Sequence, residues 1–378
     1  MLNPDTLVQV YRRVHSRKAK ALAFRALRTT GLQHLVIRMD TINLCNLRCK
    51  MCYYSSDFHR KKQQMDLPLF RKIAEEVFPK TRFLYLSCAT EPLMNKQFAD
   101  FVRVAGEYEV PFTSFCTNGQ LLTERVVAAC IDARISEIIF SIDGATAETY
   151  EAIRRGGKWD RLVKSLELVA AMKRKANTQG PAVRMNFTCM QTNIDELPAM
   201  VDFAADQCAE SLHVRHLLAY NDSNDSYREE IAYRALFNAR ADEARSRAAL
   251  RGIDLFLPDP IPQPQRQQSA KTCVTDGSEI SRQTTGQIGR RSEANPYCLL
   301  PWFQAIISWD GDYRVCSLHT LGNLREQSFA EIYNSAKMQA IRRSMLWRTD
   351  NSCSWNCHQE AYDVPEEVEE TPVGTTSS

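Results

Sequence analysis

The chain has 378 residues, 44% hydrophobic and 25% charged, with a formal net charge of +3. That composition excludes global disorder, collagen and coiled coil, and the near-balanced charge leaves no footprint of a dedicated nucleic-acid binder. No run approaches the roughly 18 apolar residues of a membrane helix and no apolar stretch marks an export signal, so the 13 cysteines, an odd number, point to a cytoplasmic, reducing setting and to metal or cluster binding rather than a disulfide framework.

Residues 1–30 carry seven Lys or Arg against one Asp. Leu7, Val10, Tyr11, Val14, Leu22 and Leu27 recur there at roughly helical spacing. This predicts a basic amphipathic helix packed on the body with a solvated face; docking to a membrane surface is the alternative. β-like runs follow at 33–38, 82–86, 111–115, 136–142, 182–189 and 211–217, with helical patterns between them at 66–78, 96–108, 122–132, 146–176 and 194–208. Strand–helix alternation predicts parallel βαβ units, in a doubly wound sheet or a partial barrel. Both place ligands at the C-terminal ends of the strands. A helix at 227–250 and a short strand at 253–257 come next. Residues 258–296 hold five Pro and six Gln with little apolar pattern and are expected to form a flexible linker. A second, small domain is expected over 297–360. In it 302–309 and 312–316 flank Asp310-Gly311, a hairpin signal, and helices follow at about 328–347. The tail, 361–378, has five acidic residues and no basic one and is expected to be disordered.

The chemistry concentrates in cysteine. Cys45, Cys49 and Cys52 form C-x3-C-x2-C in the loop after the first strand. Three thiolates so close can wrap one face of a metal centre. Iron–sulfur clusters take four Cys ligands, so three leave one iron open to a non-protein ligand. Zinc prefers four closed ligands.

In strand order, further motifs accompany this triplet: Cys88-Ala89-Thr90-Glu91-Pro92 after the second strand, Thr117-Asn118-Gly119 after the third and Ser141-Ile142-Asp143-Gly144 after the fourth. Together, over about residues 35–217, the chain resembles the radical S-adenosylmethionine (SAM) superfamily. The resemblance implies an α/β fold, a partial (β/α)6 TIM-like barrel over 31–257. It implies a [4Fe–4S] cluster on Cys45, Cys49 and Cys52, with SAM on the open iron. Reductive cleavage of SAM would then give a 5′-deoxyadenosyl radical that abstracts a substrate hydrogen. Thr90 and Glu91 fall where the family holds the SAM ammonium. Thr117 and Ser141 fall where strand ends line the SAM pocket, with Asp143 as their neighbour. Met51 stands where the family often has an aromatic residue against the adenine. No side chain is assigned a catalytic role beyond the cluster and SAM.

The second set is Cys298, Cys316, Cys353 and Cys357. It resembles the C-terminal SPASM or shorter twitch extension of these enzymes, which holds auxiliary iron–sulfur clusters. The count implies one auxiliary [4Fe–4S] cluster on four Cys, with His358 as a possible substitute ligand. By spacing alone zinc fits the same four ligands about equally well. Of the remaining cysteines, Cys116, Cys130, Cys189 and Cys208 are expected to be small buried hydrophobes. Cys88 could face the SAM pocket, and Cys273 has no assigned role. His213 and His216 are expected to be structural, and Trp302 and Trp309 to pack the hairpin.

The resemblance implies modification of a peptide or natural product. The alternative is a twitch-type dehydrogenase of a small sugar or aminocyclitol, and the rival from another class is a non-catalytic zinc-binding scaffold. A flavodoxin or ferredoxin would supply the electron, and no nucleic-acid partner is expected.

Overall fold

The computed structural model describes residues 35–52, 55, 61–217, 231–258, 300–316 and 320–347. Seven strands lie side by side in chain order and all parallel: β1 Leu35–Met39, β2 Thr81–Tyr85, β3 Phe112–Thr117, β4 Glu137–Ser141, β5 Ala182–Cys189, β6 Ser211–His216 and β7 Asp254–Phe256. The helices between them are α1 Leu67–Val77, α2 Phe98–Gly106, α3 Glu124–Asp132, α4 Ala147–Ile153, α5 Trp159–Lys175, α6 Leu197–Asp206 and α7 Ile231–Arg251. The sequence-predicted partial barrel is therefore present as an open α/β sheet.

Side-chain alternation along the strands separates two faces. Leu35, Ile37, Met39, Leu84, Phe115, Ile138, Phe140, Met185, Phe187, Leu212 and Val214 are buried in the main apolar core under the helices. The residues between them, such as Val36, Arg38, Phe83, Tyr85, Phe112, Cys116, Ser141, Asn186 and Thr188, are only half-buried. They line the concave face, which stays open where a closed barrel would be filled by side chains.

The C-terminal segment joins the same sheet. β8 Gln304–Ile307 pairs in parallel with β1, and β9 Asp312–Arg314 and β10 Thr320–Asn323 continue antiparallel, giving the order β10-β9-β8-β1-β2-β3-β4-β5-β6-β7. Gly311 turns the β8–β9 hairpin at φ +93°, a conformation that penalises a Cβ. α8 Leu300–Phe303 precedes β8, and α9 Phe329–Tyr333 and α10 Ala336–Trp347 follow β10. Helix α1 is the surface to which this segment is fastened. Lys72 donates to Leu324 O (2.7 Å), Arg325 pairs with Asp66 (3.1 Å), and the Phe329 N–H donates to Glu76 (2.6 Å). Asp66 also caps α1 by accepting from Leu69 N, as a helix start demands. Trp302 packs on the core, and Trp309 donates to Gln63.

Several expectations are corrected. The helix expected over 146–176 is two helices, because residues 154–158, with Gly156 at φ +90°, break the pattern. Strand β10 was not foreseen. Cys130 and Cys189 are buried as expected, but Cys208 is exposed at φ +56°, and Cys116 is only half-buried and lies on the concave face. The expected helix over 1–30, the linker beyond Pro258, the tail 361–378, and Cys273, Cys298, Cys353, Cys357 and His358 lie outside the described residues.

In the core, Phe70 of α1 stacks on Phe101 of α2 at 4.6 Å and meets Phe78 edge-on. Phe70→Ala should lower unfolding stability by about 3–5 kcal/mol in urea titrations, while Ala at the exposed Leu121 should change it by less than about 0.5 kcal/mol.

Candidate functional site

The loop after β1 carries Cys45, Cys49 and Cys52. Backbone bonds pin it to the turn that follows α4: Arg48 N donates to Arg155 O (2.8 Å) and Lys50 N to Ile153 O (2.9 Å). The Cys52 N–H donates to Cys49 O, closing a tight turn between the second and third cysteines. Cys52 lies close enough to Cys45 and Cys49 to disfavour their ionisation. Burial, opposed by the Leu47 N–H, pushes Cys45 up to about 12, with Glu91, Cys49 and Cys52 adding to the rise.

Glu91 is the hub of the adjoining strand ends. Its Oε1 accepts from Thr117 Oγ1 (2.8 Å) and Leu93 N (3.3 Å), and its Oε2 accepts from Asn118 N (2.7 Å). Its own N–H donates to Leu44 O, tying the β2 loop to the cysteine loop. Asn118 Nδ2 donates to Asn46 Oδ1 (2.9 Å) and points at Cys45 Sγ (3.8 Å). Gly119 makes this turn possible. At φ +74° a Cβ there would lie 2.9 Å from Leu162 Cδ1. Burial raises Glu91 to about 7 against the pull of the Asn118 and Thr117 donors.

The opposite side is built on Arg154. Its guanidinium lies 2.6 Å from Asp143 Oδ2 as an ion pair without an aligned hydrogen bond, and its Nη1 lies 3.8 Å from Cys49 Sγ. Both side chains are almost wholly buried. Burial alone would weaken the guanidinium's hold on its proton, but Asp143, aided by Cys49, more than reverses this. Burial raises Cys49 too, and Arg154 opposes it. Asp143 Oδ1 accepts from Thr188 N (2.8 Å) and so fixes the end of β5.

The remaining predicted residues fall around these two arms. Thr90 donates to Ile42 O (2.8 Å), and Asp40 accepts from the N–H groups of Cys88 and Ala89 (3.0 Å each). Ser141 shares a hydrogen bond with Cys116 Sγ (3.1 Å) on the concave face. Met51 packs on Ile153, Met190 and Leu217. Cys88 is exposed, near Arg38 and Asp40. Cys316 is half-buried against the core, and the other three members of its set are outside the described residues. Sequence reasoning missed Arg154 and Asp40. The signal for Arg154 was the Arg-Gly-Gly break in an otherwise helical run.

These residues fit an iron–sulfur cluster. Among the described residues no three His, Cys, Asp or Glu side chains converge as one metal ion would need. A four-iron cluster is larger than one ion and takes wider-spaced thiolates. Leu47 N (3.5 Å), Asn118 Nδ2 and Arg154 Nη1 all approach cysteine sulfurs, and hydrogen bonds to sulfur are how proteins tune such clusters. A cleft of about 420 Å³ at the far end of β5 and β6, lined by Lys173, Arg174, Asn177 and Cys208 among others, lies away from this chemistry.

Residues 39–204 match the radical SAM superfamily model, and residues 298–358 match SPASM, an iron–sulfur cluster-binding domain. The tungsten-containing aldehyde ferredoxin oxidoreductase cofactor-modifying protein of Pyrococcus furiosus is 21% identical over 84% of this chain and 86% of its own length. The AdoMet-dependent heme synthase of Methanosarcina barkeri is 25% identical over 78% and 80%. Streptococcus suis SuiB bound to precursor peptide SuiA superposes with a TM-score of 0.59 at 14% identity, over 86% of this chain and 71% of SuiB. Among the described residues no helix is long and apolar enough to cross a membrane.

The raised Glu91 value has a measurable consequence in the metal-free protein. The folded state holds its proton up to about pH 7, whereas the unfolded chain releases it near the ordinary glutamate range. Stability from this group is therefore full below about pH 4.3 and falls as pH rises through 7, by on the order of 3 kcal/mol. The difference in unfolding free energy between wild type and Glu91→Gln should follow that slope across pH 4–8; a flat difference would contradict it.

Proposed function

We propose, from the premise that this chain belongs to the radical SAM superfamily and carries a SPASM iron–sulfur domain, that it is an enzyme modifying a peptide or natural product through a SAM-derived radical. The family's cofactors are a [4Fe–4S] cluster and SAM, with auxiliary iron–sulfur at the SPASM domain. When bound, they supply reductive cleavage of SAM to methionine and a 5′-deoxyadenosyl radical able to take hydrogen from a substrate carbon.

The observation that carries this reading is the placement of three thiols at the strand ends between a buried carboxylate and a buried guanidinium. Cys45, Cys49 and Cys52 hold the catalytic cluster. The Leu47 N–H offsets part of the burial cost of a charged Cys45 sulfur, and Arg154 does the same for Cys49. Glu91 takes the SAM ammonium, with Thr90 fixing its loop. Glu91 is suited to this because burial leaves its charge without water, and a cationic ligand would restore it. Thr117 and Ser141 line the pocket, Asp143 orients Arg154, and Met51 offers a polarizable face to the adenine. Cys298, Cys316, Cys353 and Cys357 hold one auxiliary cluster, which would accept an electron from the product radical or anchor substrate. The electron for SAM cleavage comes from a flavodoxin or ferredoxin, in a cytoplasmic setting that keeps the thiols reduced.

A reactive radical needs a site shielded from water. The half-open concave face beneath the thiols becomes such a site when substrate fills it. The peptide or natural-product class is supported by the SPASM extension and by the names of the cofactor-modifying and heme-synthesising relatives.

Anaerobically purified protein should contain about eight irons, four per cluster, and should form 5′-deoxyadenosine with reductant and SAM. Cys45→Ala should abolish that product and remove about half the iron. Zinc in place of half the iron would contradict the auxiliary cluster, and no 5′-deoxyadenosine from iron-replete protein would contradict the catalytic reading.

A further inference from the structure

The strand registers fix which side chains face the concave lumen. Arg38 pairs with Tyr85, Tyr85 with Ser114, and Ser114 with Glu137. Cys116 pairs with Ile139 and Ile139 with Arg184; Ser141 pairs with Asn186, Asn186 with His213 and Thr188 with Arg215. Paired residues of parallel strands share a face. All of these therefore share the lumen with Ser141 and Cys116, directly below the thiol loop.

The two halves of this lumen differ in chemistry. The β1–β3 half is apolar and aromatic. Phe112 packs against Phe83 (5.9 Å) and Tyr85 (6.1 Å), and the Arg38 guanidinium lies over the Tyr85 ring at 4.9 Å. The β4–β6 half is polar. Glu137 pairs with Arg184 at 3.3 Å, and the His213 ring stacks near Phe256 of β7 at 4.2 Å. On β1 to β6 a single carboxylate, Glu137, faces the lumen with three guanidiniums, Arg38, Arg184 and Arg215. His213 adds no counter-charge. Burial, with Arg184 and Arg215 nearby, lowers it to about 3 and leaves it neutral. Asp254, the acidic residue that β7 adds, is at the far, N-terminal end of that strand.

On the β5–β6 side of the lumen, two groups have nothing to bind within the described protein. Arg215 is exposed at the upper end of β6, and no carboxylate pairs with it among the described residues. Asn186 Oδ1 is shielded from solvent yet accepts no hydrogen bond. A buried acceptor without a donor is costly, and a surplus guanidinium inside a polar wall attracts an anion. Thr188 stands beside Arg215, and Asn186 is two residues below Thr188 on β5.

We propose that this lumen selects a substrate bearing a carboxylate. Arg215 pairs with that carboxylate. Asn186 Oδ1 accepts a hydrogen bond from an N–H or O–H of the same molecule, and Phe83, Tyr85 and Phe112 cover its apolar part. The proposal rests on the reading that substrate meets the radical beneath the thiol loop. The carboxylate can belong to an acidic side chain of a peptide or to a free small acid; Arg215 recognises the same group in either.

Saturation-transfer NMR on the anaerobic, full-length, iron-loaded protein tests this with three probes: N-acetyl-glutamate methylamide, its neutral glutamine counterpart, and glutarate. The acidic amide should bind at least about tenfold more tightly than the neutral one, as expected for a hydrogen-bonded charge pair. Arg215→Gln should bring it down to the level of the neutral probe, and Arg215→Lys should restore part of the difference. Arg245→Gln, on the outer surface of α7, should leave binding unchanged. Glutarate binding as well as the acidic amide identifies a free acid as the natural form; binding of the amide alone identifies a peptide side chain. Equal binding of the acidic and neutral amides, binding insensitive to Arg215→Gln, or no binding by any probe overturns the proposal. Iron content of each variant reports whether it has folded around its cluster. Arg215-dependent binding by a protein that never forms 5′-deoxyadenosine would overturn the radical reading and leave the carboxylate pocket standing.

Discussion

The buried pair of Arg154 and Asp143 is the constraint on which the site depends. A charge out of water is tolerated only with a close partner, and here the 2.6 Å approach to Asp143 provides it. One consequence is spatial. The carbonyls flanking Arg154 hold Arg48 and Lys50 of the cysteine loop, so the position of the guanidinium and the position of the thiols are set together. Another is electrostatic. Arg154 places fixed positive charge 3.8 Å from Cys49 Sγ, in a medium where burial otherwise keeps thiols protonated. Asp143 in turn grips Thr188 N, which carries the same arrangement to the end of β5 and to the lumen wall that ends in Arg215.

Glu91 plays the complementary part on the other side. Three donors converge on its carboxylate, yet burial still lifts it to about 7. The site thus has a buried carboxyl group beside one cysteine and a buried cation beside another. The sheet places both where the loops of β1, β2, β3 and β4 meet. Below them, one wall of the lumen is aromatic and the other is polar and positively charged, a division that follows directly from alternation along parallel strands.

Much of this was legible in the sequence. The β-like runs are rich in Val, Ile and Phe and alternate with helical patterns, so the parallel α/β fold could be read from local periodicity. The three cysteines of the first loop could be read because clustering of free thiols has few other causes. The pairing of β8 with β1 could not. It joins segments far apart in the chain, and nothing local in QAII names its partner. Arg154 was hidden because an Arg-Arg pair in a charged helical stretch looks like solvated surface; only the glycines that follow it hinted at a break. Asp40 looked like a loop residue, because its partners, the N–H groups of Cys88 and Ala89, belong to another strand's loop. Cys116 could have been placed correctly. It shares parity with Phe112 and Ser114 rather than with the buried Phe115, and that parity puts it on the concave face.

The central claim is that Cys45, Cys49 and Cys52 hold a cluster whose open iron binds SAM. Electron paramagnetic resonance tests it most directly, on the dithionite-reduced protein in which Cys298, Cys316, Cys353 and Cys357 are replaced by Ala. The account predicts a reduced [4Fe–4S] signal that changes shape when SAM is added and that disappears with Cys45→Ala. A signal indifferent to SAM, or none from iron-loaded protein, would contradict it.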